Sequence, residues 1–545
     1  FAGYTIQTDI SSAAANDTYK ATNMTANTVP TSQTLNALTM SGGGFSVDSV
    51  SGVVPTTLTL TSGGILVTGG NASLDVPVVA LAAVEGIVHV STGTTATFSS
   101  GFSGTAGMTK DLGGTLSLSH QQYVSGTTTV DGGTLNLGAG TNTLLFNNAL
   151  VVNNGGTLDL RGNAQYVAGL SSQSAAAAVG AGGGTITTTT GSGTFVTSGG
   201  SSSVFGGAIT GAVTFNKSNA GSTLTLVNPS SYSGSTLISG GGLTLQDAAT
   251  LANTSAIQIN YGTLTLTNTG LYDIADRVKD SADITLRGGT ITFNGRAQTA
   301  SAETLGAVTI SEGYSVLAPV AGGTGLNSAV LTIASLTQGS TDATVTVNGA
   351  LANLGQIGSN PRLIITSRES SPGLTNNIIG GWAINSTSGE FLTYVPGLGV
   401  GPLGGTGFAG YDASSLTGAT SAQNIRLSST FAVPAGGVTV NAVSLRGSIS
   451  GTFAAATDVL NIVSGGFSGT QAANTLGASA DNGRLTAGGT ASGVSPLYVF
   501  NVGTNYTINA RIVDNGVGST RLVSIGTLTL AGANTYSGGT VVNGG

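Results

Sequence analysis

The sequence predicts an all-β fold, a solenoid of stacked parallel rungs, on three observations. Short runs of the form x-Leu-x-Leu alternate polar and apolar residues, as a half-buried strand does. The runs return at intervals of about 20 residues without a helix between them, the mark of a coil built rung on rung. The polar surface comes from Ser, Thr, Asn and Gly, since charged residues make up only 7% of the 545.

Gly114-Thr115-Leu116-Ser117-Leu118 leads through Tyr123 and Ser125-Gly126-Thr127 to Val130-Asp131-Gly132-Gly133-Thr134-Leu135-Asn136-Leu137. Ser222-Thr223-Leu224-Thr225-Leu226 leads through Tyr232-Ser233-Gly234-Ser235-Thr236 to Gly242-Leu243-Thr244-Leu245. A third copy runs from Thr527-Leu528-Thr529-Leu530 through Tyr536-Ser537-Gly538-Gly539-Thr540 to Asn543-Gly544-Gly545. Each is strand, turn, strand, turn, with Asn and Gly supplying the turns. From Thr115 to Thr134 is 19 residues, to Thr157 another 23; from Thr223 to Gly242 is 19, to Thr263 a further 21 and to Thr290 a further 27. Leu116, Leu135, Leu158, Leu224, Leu243 and Leu264 are therefore expected to point into a common bore, with the variable intervals as loops.

A longer repeat of about 405–412 residues overlies these rungs. Phe1-Ala2-Gly3-Tyr4 recurs as Phe408-Ala409-Gly410-Tyr411, and Leu35-Asn36-Ala37-Leu38-Thr39-Met40 as Val440-Asn441-Ala442-Val443-Ser444-Leu445. Leu60-Thr61-Ser62-Gly63-Gly64 matches Ile462-Val463-Ser464-Gly465-Gly466, and Gly114-Thr115-Leu116-Ser117-Leu118 matches 526–530. Residues 1–407 then form one long unit, with lead-in strands over 1–110, the clearest rungs over 111–350 and an irregular lobe over 351–407. Residues 408–545 begin a second copy, cut in mid-repeat. The lobe holds Pro361, Pro372, Pro396, Pro402 and Trp382, the sole tryptophan, and is expected to form an aromatic plug or side lobe. Leu271, Ile274, Ala275 and Val278 fall at helical spacing and predict one or two helical turns within 271–280.

Glycine supplies 88 residues, about twice the average share. Mean hydropathy is positive, yet no apolar run reaches spanning length: the longest candidate, 76–90, is broken by Pro77, Glu85 and Gly86. A net charge of −7 with only 15 basic residues argues against nucleic acid as a partner. The absence of cysteine excludes disulfides, Cys-ligated zinc and a thiol nucleophile. Any targeting segment is expected outside this numbering.

The third copy, 528–540 followed by Asn543-Gly544-Gly545, resembles the autotransporter-associated β-strand repeat. That repeat occurs in passenger domains of bacterial autotransporters and in very large surface proteins of other bacteria. The stretch 155–170 is similar to the rung that often follows it. The family's repeat carries a lysine a few residues before its first strand; Lys110 and Lys217 fit, and the third copy has only Arg521. The resemblance implies a right-handed parallel β-helix with irregular loops or side lobes, exported to the cell surface.

Candidate chemistry is sparse. Asp273, Asp276, Asp280 and Asp283 are the densest carboxylates and the candidate Ca²⁺ site, although their spacing is not that of an EF-hand loop. A solvated loop balanced by Arg277 and Lys279 explains them as well. His89 and His120 are the only histidines, and neither has a sequence neighbour that marks a triad or a metal site. Glu85, Glu303, Glu312, Glu369 and Glu390 are scattered, so no carboxylate pair for glycoside cleavage is expected.

The sequence reading is thus a non-enzymatic extracellular structural protein: a rigid β-helical rod in a bacterial surface fibre, sheath, stalk or adhesive passenger, without cofactor. Its expected partners are further chain or another copy end to end, and cell-surface glycans, with no membrane insertion by this segment. The alternatives are a carbohydrate-active β-helix enzyme and a lectin-like adhesin, the latter requiring exposed aromatics on a lateral face.

Overall fold

Ala72, Ala96, Leu116, Leu135, Leu158, Ile186 and Ile209 stand one above another in a single ladder of parallel strands, all buried. The computed structural model that places them describes residues 10, 14–22, 27–29, 31–41, 45–49, 56–173, 182–325, 327–348, 353–469, 474–503 and 505–544. The chain is a β-solenoid of about 21 turns. It divides into two compact units: Phe1–Ile257 with Gly270–Tyr272 and Asp276–Lys279, and Gln258–Thr269 with Asp273–Ala275 and Asp280–Gly545.

In the first unit the period-2 alternation of each strand turns Leu, Val and Ile inward and Thr, Ser and Asn outward, and stacking in register lets like residues meet. Leu74, Phe98, Leu118 and Leu137 form a second inward column beside the first. Facing strands supply the opposite wall, where Leu38, Ile65, Val88, Lys110, Val130 and Val152 succeed one another. A further face carries Val167, Thr197, Lys217 and Ile238 in register. Leu224 and Leu243 pair and are buried, as the spacing predicts. Parallel pairing leaves no chain reversal by hairpin, so each rung must return through loops.

The second unit begins with the same construction. Leu264, Ile291, Leu317 and Val347 stack in one column, and Ile284, Val308 and Leu336 in another. Beyond the strand Pro361–Ile365 one more parallel strand, Ala383–Asn385, adds to the ladder on Thr344–Val347, and the regular rungs then give way. The irregular lobe expected over 351–407 contains the only helix among the described residues, Thr366–Glu369, and an antiparallel hairpin of Leu392–Val395 with Gly399–Pro402. Trp382, Phe391 and Tyr394 are buried. From Asn424 a fresh coil starts, with three parallel sheets that share a core of Ile425, Val443, Phe467, Leu485 and Ile508 among others.

The long repeat is visible as one corner built twice. Asn36, at the register shift within the strand Gln33–Ser41, and Asn441, between the strands Val438–Val440 and Ala442–Leu445, mark the bend, each after an inward Leu35 or Val440. Asn36 donates from Nδ2 to Thr18 Oγ1 at 3.2 Å; Asn441 donates to Asn424 Oδ1 at 2.7 Å. On the next rung Ser62 Oγ donates to Asn36 O at 2.5 Å, and Ser464 Oγ to Asn441 O at 2.7 Å. Gly63 and Gly465 take φ of 69° and 73°, left-handed values that favour glycine. The register agrees too, Leu35 on Leu60 and Ala37 on Gly64, Val440 on Ile462. Phe1-Ala2-Gly3-Tyr4 lies outside the described residues.

The helical turns expected over 271–280 are absent. Leu271 N–H donates to Asp247 Oδ1 at 2.7 Å, and Ile274 O accepts from Asn268 Nδ2 at 3.1 Å. Asn268 thereby takes the Ile274 carbonyl that a helix would pair with the Val278 N–H, as Arg277 Nη2 takes the Tyr272 carbonyl at 3.4 Å. Val278 instead bridges Leu251 as part of a rung, while Leu271 is exposed.

Candidate functional site

Glu390 is the most enclosed acid in the second unit's lobe, only 4% exposed. It sits where the chain turns into the hairpin strand Leu392–Val395, its backbone fixed by Asn385 N–H donating to Glu390 O at 2.8 Å. Arg446 forms an ion pair with its carboxylate, and Arg426 lies 3.3 Å from Oε1. Ser444 Oγ is 3.2 Å from Oε2, and Tyr411 O–H donates to the same oxygen. Arg446 also donates to Ser388 O, and the Arg426 guanidinium stands 5.9 Å from the centroid of the Tyr411 ring. Burial, and next the Glu390 charge, push the Tyr411 phenol well above its ordinary range. It stays protonated and acts as donor.

This is a closed knot. One carboxylate faces two guanidiniums and two hydroxyls, so its charge is met and its lone pairs are occupied, the condition under which a buried ion pair is tolerated. The partners come from both sides of the lobe boundary, and the knot fastens the lobe to the coil that starts at Asn424. Phe408 packs against Gly401, and Tyr411 completes the knot, giving the Phe-Ala-Gly-Tyr segment at 408–411 a structural role.

A second set of contacts joins the late coil to rungs near residue 340 within the same unit. Arg521 Nη1 lies 2.8 Å and 3.0 Å from the two Asp342 carboxylate oxygens. Gln338 Nε2 donates to Tyr498 Oη at 2.9 Å, and Tyr498 O–H donates to Thr341 O at 2.8 Å. Asn543 Nδ2 donates to Asp342 O at 2.7 Å. Within this unit the late coil therefore lies alongside the rungs at 338–344. A cleft of about 430 Å³ opens there between Tyr314, Thr346, Ile384, Phe500, Val502 and Ile525. Its lining holds no carboxylate, imidazole or basic group.

The first unit buries a different charge. Lys110 stands inward in an otherwise apolar ladder between Val88 and Val130, and Lys217 stands inward between Thr197 and Ile238. Lys110 Nζ donates to Asp111 O at 3.0 Å and to Leu112 O and Gly132 O at 2.7 Å. Lys217 Nζ donates to Ser218 O, to Asn219 O at 3.3 Å and to Ser222 Oγ at 3.0 Å. Each ammonium caps the carbonyls of the turn before an x-Leu-x-Leu strand. Arg521 is not the third member of this set. Lys110 pairs in register with Val130 and Lys217 with Ile238, and the matching residue opposite Val542 is Ser524. Four residues separate Lys110 from Thr115 and five separate Lys217 from Thr223, but only Ile525 and Gly526 separate Ser524 from Thr527. The shorter turn has few carbonyls to cap.

Asp273, Asp276, Asp280 and Asp283 are all exposed, and Asp273 accepts from Asn268 Nδ2. Among the described residues no group of three His, Asp or Glu is placed to hold a metal ion. His89 meets Asp111, its partner on the next rung, at 3.1 Å between Nδ1 and Oδ2, a pairing that depends on register and so was hidden in the sequence. His120 Nδ1 contacts Gln121 O. Thr109 donates to Glu85, Glu312 pairs with Arg287, and Glu369 accepts from Tyr394 O–H and from Gly397 N–H. Glu303 is buried in an apolar ladder on Leu331 and Leu363. The glutamates thus serve different local partners.

The geometry defines a parallel β-solenoid with a tandem long repeat, closed by charge knots. Comparison with protein-family models, curated proteins and solved structures finds no match to this chain.

Proposed function

We propose that this chain is a non-enzymatic structural segment of a bacterial surface protein, a β-helical rod of the autotransporter-associated repeat type. The observation that carries the reading is the corner at Asn36 and its counterpart at Asn441, where each asparagine donates back to the preceding rung and accepts from a serine on the next. A corner built twice from the same asparagine, serine and glycine, with the partner on the preceding rung changed from Thr18 to Asn424, is what a repeated scaffold requires. The buried charges favour the same reading: Lys110, Lys217 and Glu390 are spent on turns and on the lobe and have no open face toward a substrate. Immunogold labelling of the producing cells tests it. Label on the cell exterior, in fibres or a surface layer, is the expected result, and label confined to the cytoplasm overturns it. A separate assay tests the enzymatic rival: release of reducing ends from polysaccharide, lost on changing one Asp or Glu, would replace the scaffold reading.

A further inference from the structure

The first unit carries the tripeptide Gln-Tyr-Val twice, at 122–124 and 165–167. In both, the glutamine and valine are buried and the tyrosine is exposed. Gln122 Oε1 accepts from Phe102 N–H at 3.2 Å while its Nε2 donates to Ser100 O at 3.2 Å. Gln165 Oε1 accepts from Leu144 N–H at 2.9 Å while its Nε2 donates to Leu144 O at 3.0 Å. Each buried amide clamps the backbone beneath the ring that follows it. The turn between the two motifs holds Phe146. Its place is fixed by Gln122 N–H donating to Thr143 O, Asn148 Nδ2 donating to Val124 O and Ala168 N–H donating to Asn148 O. Tyr123, Phe146 and Tyr166 are 53%, 60% and 40% exposed, and Gln122 N–H on Thr143 O with Asn142 N–H on Ala164 O stacks their segments on three successive turns of one face.

We infer that this stripe is a binding site for a neutral, extended, β-linked polysaccharide. Aromatic faces are electron-rich and take the C–H face of a pyranose ring. Tyr123 and Tyr166 are two rungs apart, about 10 Å at the strand spacing of a sheet. That is about the length of one disaccharide in an extended β-1,4-linked glycan, so alternate sugars meet alternate rings. Between the rings the surface offers amides and hydroxyls, Gln121, Asn142 and Asn147 among them, which suit sugar hydroxyls. A net charge of −7 with 7% charged residues does not suit a polyanionic glycan. The Tyr123 ring is also held in place: it lies over Gly101, where a side chain would meet the ring at 3.1 Å. Little ordering remains to be done on binding. The choice of ligand rests on the surface-rod reading, but the site fails or stands by its own test.

The test is calorimetric titration of the full chain with cellohexaose, and with a heparin hexasaccharide as the anionic arm. Saturable heat with cellohexaose alone is expected. Tyr123→Ala and Tyr166→Ala each weaken it by about fivefold to tenfold, the double variant abolishes it, Tyr123→Phe retains it, and Tyr261→Ala, an exposed tyrosine elsewhere, leaves it unchanged. Should Tyr123→Ala lower the urea midpoint, Phe146→Ser on the intervening turn reads the same effect. No heat with cellohexaose, equal binding by the double variant, or preference for heparin overturns the inference. So does light scattering that shows self-association abolished by the double variant without any glycan binding, which assigns the stripe to a second copy of the chain.

Discussion

The two units bury charge in different ways. In the first, Lys110 and Lys217 stand in the bore with backbone oxygens as their main partners, and each partner lies in or next to the turn the lysine supports. In the second, Glu390 meets Arg446 from 56 residues away and Ser444 from 54. The lysine solves a local problem, the orphan carbonyls of a long turn. The glutamate solves a long-range one, the attachment of an irregular lobe to a coil with which, among the described residues, it shares no ladder. Ser524 separates the two cases: where the turn shortens to Ile525 and Gly526, the repeat drops its lysine and the coil persists. The buried charge follows the turn and not the repeat.

The largest effect is expected at the long-range knot. Glu390→Ala leaves the Arg426 and Arg446 guanidiniums facing a cavity without their carboxylate, a loss of about 3–5 kcal/mol for a broken buried pair. Trp382, the sole tryptophan, is buried in the same lobe, so its fluorescence reports this unit. Its urea midpoint should fall sharply in Glu390→Ala. A midpoint within error of wild type would show that the knot holds nothing together.

Lys110→Met should cost less, about 1–3 kcal/mol, because it removes one cation but leaves carbonyls near a surface turn. Amide exchange localises it: protection should drop at Gly132, Gly133 and Thr134 while the corner at Asn36 keeps its own. The reverse change, Ser524→Lys, should destabilise, since the short turn offers the ammonium few acceptors. If Ser524→Lys stabilised the coil, the lysine would belong to the repeat as such and the comparison would fail.

Proton linkage gives a finer reading of the same residue. Burial pulls the Lys110 ammonium down to about 8 from its ordinary 10.5, against the opposing pull of the Asp111 carboxylate. The folded state therefore releases this proton before the unfolded state does. Between about pH 8 and 10.5 the unfolded chain binds more protons, so stability rises with pH across that window and the gain is lost as pH falls through 8. Urea midpoints of wild type and Lys110→Met should diverge from pH 7 to pH 10, wild type gaining relative to the variant. Parallel pH profiles would place the Lys110 proton in water.

The bore was legible because it depends on a period. Leu116, Leu135 and Leu158 announce themselves by alternation and spacing, and the corner glycines by their turn. The charge knots were illegible for the opposite reason. Lys110 can be noticed, but its burial follows from a ladder position beside Val88 and Val130 that only register reveals. Glu390 has no periodic neighbour, and its arginines lie across a lobe that breaks every pattern. The aromatic stripe was half legible: Gln122-Tyr123-Val124 and Gln165-Tyr166-Val167 are identical in sequence, yet only stacking puts Phe146 between them. The false helix at 271–280 shows the limit of spacing alone, since Asn268 and Arg277 took carbonyls it needed.

The smallest effect is expected at the Asp342–Arg521 contact, and it bears most directly on what long-range charge does here. Both side chains are about 30% exposed, so water and salt screen the pair. Arg521 also keeps a bond from Nε to Gly538 O at 2.8 Å, and Asp342 O still accepts from Asn543, whichever side chain is present. Asp342→Asn should therefore cost only about 0.2–1 kcal/mol, and less at high salt. The measurement is the Trp382 urea midpoint of wild type and variant at low and high ionic strength. A small difference that vanishes with salt fits a screened surface clasp. A loss as large as that of Glu390→Ala, insensitive to salt, would mean that the pair is desolvated in solution and that the lateral contact, and not the lobe knot, holds the second coil in place.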